Sequence, residues 1–155
     1  MNEPKQIIIL CGIPCSGKST FAKQQYNFTT DIVSRDTIRE KLAGKFYKFS
    51  SRFEDLVTNN FNFTLKTLIN DLTTEVIILD NTHCKEKYIN EIIKKYSEHN
   101  IKIKFFDISL WKAHHRNIIR YFKTGKWIPI KVINQMYKNY NKINKQKYEK
   151  YLVHQ

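Results

Sequence analysis

The sequence predicts an α/β fold in which helices cover both faces of a central parallel sheet of about four strands. Short apolar runs, typical of strands buried on both faces, alternate along the chain with segments whose apolar residues recur at helical spacing. Such alternation is characteristic of parallel sheets, because each crossover between parallel strands usually needs a helix. A length of 155 residues suits one domain, 1–155. The predicted strands are residues 7–10, 31–34, 75–79 and 101–108.

A phosphate-binding loop follows the first predicted strand, because the residues there match the pattern G-x-x-x-x-G-K-[ST]. In this pattern backbone N–H groups surround a triphosphate, the lysine (Lys18) reaches the β- and γ-phosphate oxygens, and the hydroxyl (Ser19) ligates Mg²⁺. The helix that begins at about Gly17 adds unpaired N–H donors and the positive end of its dipole. The alternative, a glycine turn with an incidental lysine, does not account for the buried strand before the motif and the helix after it. The residues assigned to the nucleotide here are Gly12, Ser16, Gly17, Lys18, Ser19 and Thr20.

Charged residues follow the second predicted strand, at the sheet edge where open parallel sheets bind ligands. Asp36 is the candidate general base, since it lies between that strand and a helix that would direct it toward the phosphate loop. The alternative role for Asp36 is to cap the helix N-terminus, and one carboxylate can serve both roles. Arg39 lies three residues on and shares a helix face with Asp36. We expect Arg39 to hold an anionic acceptor while the carboxylate meets the acceptor hydroxyl.

The third predicted strand ends in Asp80, Asn81 and Thr82, at the same edge of the sheet. Asp80 suits two roles, binding a water molecule of the Mg²⁺ ion or capping the turn, and the sequence does not separate them. Thr82 offers a hydroxyl to the same site. We therefore assign Asp80 and Thr82 to substrate binding.

The segment 110–128 is predicted to form a helical lid, followed by a C-terminal helix over about 129–150. Arg116 and Arg120 lie four residues apart in the lid and share a helix face. We expect Arg120 to counter the charge that builds on a transferring phosphoryl group, with Arg116 beside it on the nucleotide. An exposed basic helix without such a role is the alternative.

The composition indicates a strongly basic protein. The chain has 27 Lys and Arg against 14 Asp and Glu, a formal net charge of +13. This charge favours a polyanionic partner besides the nucleotide, or else a solvated basic surface with no such role. The 3 cysteines are too few for a disulfide framework, and no apolar run is long enough to cross a membrane. We therefore expect a cytoplasmic protein with no membrane partner.

Five segments resemble the bacteriophage-type polynucleotide 5′-kinases, a branch of the P-loop kinases, and the resemblance covers nearly the whole chain. The segments are GIPCSGKST, SRDTIR, VIILDNT, HRNIIR and IPIKVINQMYKNY. The last is the most discriminating, because phosphate loops recur across many kinases. The chain departs from the family at Cys15, where glycine is common, and in residues 121–127, which are longer than the family's lid turn.

The resemblance implies a P-loop kinase-like fold and transfer of the γ-phosphate of ATP, with Mg²⁺, to the 5′-hydroxyl of DNA or RNA in nucleic acid repair. It implies Asp36 as general base, Arg39 on the 3′-phosphate of the acceptor, and Arg116 and Arg120 over ATP. Related kinases tend to self-associate, which implies a possible homo-oligomer. Members often carry a C-terminal phosphatase domain, and since no such motif occurs here, we expect a kinase acting alone.

Two other classes of function remain open from the sequence. One is a small-molecule kinase of the same superfamily, acting on a nucleoside, sugar or antibiotic hydroxyl. The other is a nucleotide-dependent binding module for RNA or DNA that carries out no transfer, and the pairing of Asp36 with Arg39 argues against it. In the polynucleotide interpretation, Phe46, Tyr47 and Trp127 are candidates to stack on a base.

Overall fold

The structure is a computed structural model that describes residues 3–44 and 50–153. Phe46 and Tyr47, two of the predicted stacking aromatics, therefore lie outside the described residues. The strands are β1 (Gln6–Cys11), β2 (Thr30–Ser34), β3 (Val76–Asp80) and β4 (Asn100–Phe105). The helices are α1 (Lys18–Gln25), α2 (Arg35–Ala43), α3 (Ser51–Asn70), α4 (Glu86–Lys95), α5 (Leu110–Thr124) and α6 (Ile130–Asn141), followed by a 3-10 helix at Lys145–Tyr151.

All strand pairs in the sheet are parallel, and the strand order is β2-β3-β1-β4. The central strand β1 pairs in register with both neighbours, so that Ile8 lies opposite Ile78 on β3 and Lys102 on β4. The predicted parallel α/β sheet of about four strands is thus confirmed. Because the strands are parallel, their carboxyl ends meet at one edge of the sheet, where the loops that follow β1, β2 and β3 come together.

Two hydrophobic cores lie on opposite faces of the sheet, as the alternation of side chains along β1 requires. Ile7 and Ile9 enter the larger core, which also contains buried residues of α3, α4, α5 and α6. Ile8 and Leu10 enter the smaller core, where Ala22 of α1 packs against them. The sheet therefore lies between two helical layers, and these layers hold its carboxyl edge in a fixed shape.

The fourth strand is shorter than the predicted 101–108, because β4 ends at Phe105. Its pairing partner β1 also ends at this level, with Cys11 opposite Phe105. After one further bond from Phe106 N to Cys11 O (2.8 Å), the chain turns into α5, whose N-cap is Ser109.

The predicted C-terminal helix over about 129–150 is wrong in extent. Helix α6 ends at Asn141, and a separate 3-10 helix begins at Lys145. The interruption is fixed by Asn144, whose backbone N donates to Glu86 Oε1 (2.7 Å) and whose side chain accepts from Gln146 N (3.2 Å). Asparagine side chains that bond to nearby backbone groups compete with helix continuation in this way.

The chain after the 3-10 helix returns to the outer side of β4. Leu152 forms a parallel bridge with Ile103, and Val153 N donates to Ile103 O at 3.1 Å. Part of the border of the sheet is therefore paired. Across 3–44 and 50–153, none of the helices is both long enough and apolar enough to cross a membrane.

Candidate nucleotide and acceptor site

The loop between β1 and α1 is built around a close backbone approach at Gly12. Gly12 N donates to Thr82 O at 2.9 Å, which joins the ends of β1 and β3. A Cβ on Gly12 would lie 2.7 Å from Ser16 Oγ and 3.0 Å from Phe106 O, so only glycine fits without displacement. Gly17 has a φ of 101° and is the N-cap of α1. Such a φ is strained for other residues, so Gly17 is required by its backbone conformation, whereas Gly12 is required by the close approach of its neighbours.

The Lys18 ammonium group lies inside the loop, at the N-terminus of α1. Lys18 Nζ donates to Ile13 O at 2.7 Å and to Ser16 Oγ at 3.3 Å, and the side chain is buried. Burial lowers the pKa of Lys18, and the negative charge of Asp80 opposes this shift. The Lys18 ammonium group is therefore held where the oxygens of a bound phosphate would replace Ile13 O and Ser16 Oγ as its hydrogen-bond partners.

Ser19 and Asp80 meet across the loop. The Asp80 carboxylate lies at the carboxyl end of β3. Burial raises the pKa of Asp80, whereas the nearby Ser19 hydroxyl and the positive charge of Lys18 lower it. A hydroxyl and a carboxylate beside a phosphate loop fit Mg²⁺, which binds through one or two oxygen ligands together with substrate phosphates. Both roles considered for Asp80, binding a water molecule of Mg²⁺ and capping the turn, stay predictions.

Asp36 lies in the first turn of α2 and does not cap it. The N-cap is Ser34, whose Oγ accepts from Thr37 N at 3.5 Å, so the capping role considered for Asp36 is wrong. The reason is that β2 runs directly into α2, which places the cap at the last strand residue. The Asp36 side chain is 68% exposed, and its charge acts on the pKa of both Lys18 and Asp80. Asp36 is therefore open to solvent and within electrostatic range of the loop lysine.

Arg39 connects Asp36 to α3. Its Nη1 donates to Asp36 Oδ1 at 2.7 Å, while Nε and Nη2 donate to Glu54 Oε1 and Oε2, each at 2.9 Å. Arg35 Nη2 donates to the same carboxylate at 3.0 Å. The hydrogen bonds with Glu54 are the main reason that the pKa of Arg39 is raised. Glu54 was not among the predicted site residues, and its position in the first turn of α3 gives no local sign that it binds two arginines of α2.

The lid helix α5 contacts the phosphate loop through Arg116, whose Nη1 donates to Cys15 O at 3.1 Å. Cys15 has a φ of 65°, the left-handed conformation that suits the glycine common at this position. Arg120 lies one turn further along α5, and no hydrogen bond or ion pair of its guanidinium group is found within the described ranges. Of the two lid arginines, Arg116 is the one whose hydrogen bond to the loop is seen among the described residues.

The other predicted site residues take different positions. Ser16 Oγ accepts from Lys18, whereas Thr20 is exposed in the first turn of α1. Thr82 contributes its backbone carbonyl to Gly12, and within the part of the chain that the structure describes its hydroxyl makes no hydrogen bond.

The parallel sheet, the glycine-bounded loop with its buried lysine, and the charged helix after β2 together define a P-loop kinase-like domain. The chain belongs to the family described as AAA domain (AAA_33), whose family model matches residues 7–143.

The comparisons with individual proteins agree with this class. The chain is 28% identical over 144 residues to L-seryl-tRNA(Sec) kinase of Methanococcus maripaludis, an alignment that covers 87% of this chain and 52% of that protein. A chain in the structure of the Pnkp1/Rnl/Hen1 RNA repair complex superimposes with a TM-score of 0.79 at 25% identity, covering 96% of this chain and 48% of the other. A gluconokinase from Sinorhizobium meliloti has the same fold, with a TM-score of 0.54, 15% identity, and coverage of 99% and 82% of the two chains. The chain thus spans about half the length of the first two proteins.

Proposed function

We propose that this chain is an ATP-dependent polynucleotide 5′-hydroxyl kinase. The observation that carries the proposal is the pair of Asp36 and Arg39 on one face of α2, joined at 2.7 Å and lying at the carboxyl edge of the sheet. A carboxylate next to a cation suits an acceptor that presents a hydroxyl close to an anionic group. A hydrolase would instead need a group that positions water and no anchor for an acceptor.

In the proposed reaction, the 5′-hydroxyl oxygen of the acceptor attacks the γ-phosphorus of ATP. A new P–O bond forms, the bond between the γ-phosphorus and the β,γ-bridging oxygen breaks, and ADP leaves. The proton of the hydroxyl passes to the Asp36 carboxylate, which is exposed and has free acceptor capacity beside its bond to Arg39.

The donor side of the site is assigned to the loop and the lid. Lys18 and the loop amides would bind the β- and γ-phosphates. Arg116, whose guanidinium donates to Cys15 O of the loop, would lie beside them. Ser19 and, through water, Asp80 would hold Mg²⁺, which would supply positive charge to the site. We assign Arg120, one turn further along α5, to the transferring phosphoryl group.

Two further observations favour a nucleic acid over a small acceptor. The net charge of +13 suits a polyanionic substrate, and Asp36 is reached from open solvent rather than from an enclosed pocket. The names of two of the similar proteins refer to RNA, one as a tRNA kinase and one as part of an RNA repair complex. These names support a hydroxyl carried by a nucleic acid as the acceptor.

The proposal is tested with γ-labelled ATP, Mg²⁺ and three acceptors, namely a 5′-hydroxyl DNA, a 5′-hydroxyl RNA, and a panel of nucleosides and sugars. We expect label on an oligonucleotide, and a loss of about 10²- to 10⁴-fold in rate for Asp36→Asn. Lys18→Ala should abolish transfer. Asp55→Asn, which changes an exposed carboxylate of α3, is the matched control and should act like the wild type.

Two outcomes would contradict the proposal. Label on a nucleoside or sugar but on no oligonucleotide would establish a small-molecule kinase. ATP binding with no transfer to any acceptor would establish a nucleotide-dependent binding module.

A further inference from the structure

The turn after the lid helix is held in place by a buried asparagine. Asn117 is fully buried, its Nδ2 donates to Ile128 O at 2.8 Å, and its Oδ1 accepts from Ile128 N at 3.3 Å. Both polar groups of the Asn117 side chain therefore bind the backbone of Ile128 and fix its position. Gly125, with a φ of 71°, ends α5 just before this position. Residues 125–128 therefore form a turn whose conformation is set by the core rather than by solvent.

The same turn is attached to the helix that carries the proposed base. The Lys126 ammonium forms an ion pair with the Glu40 carboxylate of α2. Glu40 is four residues after Asp36 and so lies on the same helix face, about 6 Å along the axis. The turn after the lid is thus tied to α2 at Glu40, one helical turn after the residue whose carboxylate would meet the acceptor hydroxyl.

Trp127 presents an aromatic surface at this point. Its side chain is 45% exposed, and its ring meets that of Tyr121 edge to face, with the centroids 5.9 Å apart. An edge-to-face neighbour supports the indole ring and leaves a face available for stacking. Lys123 and Lys126 are neighbours of these aromatic residues in the sequence, and Lys126 is the lysine that pairs with Glu40. Aromatic rings next to basic side chains are the arrangement that proteins use to bind single-stranded nucleic acids.

We propose that Trp127, supported by Tyr121, is a platform on which the base of the terminal nucleotide of the acceptor stacks. This inference rests on the proposed function and adds to it a contact that recognises the base rather than the sugar or phosphate. The platform is joined to α2, the helix that carries Asp36, through the ion pair of Lys126 with Glu40. The platform favours an acceptor whose terminal nucleotide carries a base. It does not select which base, since every base has an aromatic face.

The experiment compares two acceptor oligonucleotides that differ only at the 5′-terminal position, one with a normal nucleotide and one with a stable abasic nucleotide. For the normal acceptor, Trp127→Ala should lower kcat/KM by about 5- to 150-fold, the range measured for loss of one stacked base. Trp127→Phe should retain most of the activity. For the abasic acceptor, wild type and Trp127→Ala should be equal, and the KM for ATP should not change in any variant.

Trp111 provides the matched control. It lies in the first turn of α5, is 71% exposed, and stacks on His115 with the centroids 5.5 Å apart. Trp111→Ala should therefore leave kcat/KM unchanged for both acceptors. Circular dichroism and thermal melting establish that each variant is folded.

The outcomes separate this inference from the proposed function. Equal losses by Trp127→Ala on the normal and the abasic acceptor, or an equal loss by Trp111→Ala, would overturn the stacking platform while leaving the kinase intact. Absence of transfer by the wild type to either oligonucleotide would overturn both.

Discussion

Arg39 and Glu54 form a two-fold hydrogen-bonded pair, with Nε to Oε1 and Nη2 to Oε2 both at 2.9 Å. The pair joins α2 to α3, and its side chains are only 25% and 18% exposed. A planar guanidinium held by two hydrogen bonds along one edge has little rotational freedom. The hydrogen bond of Arg39 to Asp36 is therefore made by a group whose direction is already fixed by α3.

Glu54→Gln should weaken acceptor binding, because an amide accepts from only one of the two guanidinium nitrogens. We expect the KM for the acceptor to rise about tenfold, equivalent to about 1.4 kcal/mol, with the KM for ATP unchanged. The free energy of unfolding should fall by about 1.5–3 kcal/mol for the lost charged hydrogen bond. Steady-state kinetics and urea unfolding measure these effects, with Asp55→Asn as control. A rise in both KM values would show a general loss of structure instead.

Gly12→Ala should disturb the nucleotide loop. The added Cβ would lie 2.7 Å from Ser16 Oγ and 3.0 Å from both Phe106 Cβ and Phe106 O, so the loop must shift. Because Ser16 Oγ accepts from Lys18 Nζ, the shift moves the ammonium as well. Overpacking of this kind costs about 1–3 kcal/mol, and we expect the Kd for ATP to rise by at least about tenfold. Calorimetric titration with ATP and Mg²⁺ measures this, and an unchanged Kd would contradict the tight fit at Gly12.

Cys15 is predicted to tolerate glycine and to reject a β-branched residue. Its φ of 65° suits glycine, whereas a β-branched residue is a steric outlier there. Cys15→Gly should leave the melting temperature and the Kd for ATP close to wild type, and Cys15→Val should lower the free energy of unfolding below that of the wild type. Cys15→Ala, which removes the thiol without branching, serves as the control. Equal stability of the Val and Ala variants would contradict a requirement set by the backbone.

His83 should make the stability of the protein depend on pH. Burial lowers the pKa of His83 from 6.5 to about 4, and its Nδ1 lies 2.9 Å from Leu10 O. Between these two values the unfolded chain binds a proton that the folded chain does not, so stability falls as pH decreases from 6.5 toward 4. The shift corresponds to about 3 kcal/mol.

His83→Asn is the variant that tests this dependence. Asparagine tolerates the φ of 43° at this position and retains a donor for the Leu10 carbonyl. Urea unfolding between pH 4 and 7 should show a smaller loss of stability on acidification in the variant. The same pH dependence in both proteins would assign the effect to other groups.

The strands and the phosphate loop could be predicted from the sequence because each is encoded in a few consecutive residues. The run Ile7–Leu10 is buried on both sides wherever a parallel sheet forms around it, and the glycines of the loop are required by backbone geometry. The position of Asp36 at the sheet edge could also be predicted, because Asp36 closely follows a short apolar strand. The capping role considered for Asp36 was wrong, because the boundary between β2 and α2 lies at Ser34.

The features that could not be predicted depend on contacts between distant residues. Glu54 binds Arg39 across 15 positions in the sequence, and Asn144 is fixed by Glu86 across 58. Asn117 holds the turn at Ile128, which lies 11 positions further along the chain. Periodicity reports which face of a helix is buried, but it does not report which polar side chain lies opposite.

The pairing of Leu152 and Val153 with Ile103 has a consequence for the behaviour of the protein in solution. A border strand with unsatisfied amides and carbonyls is a template on which strands of other molecules can add. Here Leu152 and Val153 of the same chain occupy that position on β4. We expect a variant in which this pairing is lost to fold with the same site and yet to aggregate more readily at high concentration, so that the pairing serves solubility rather than chemistry.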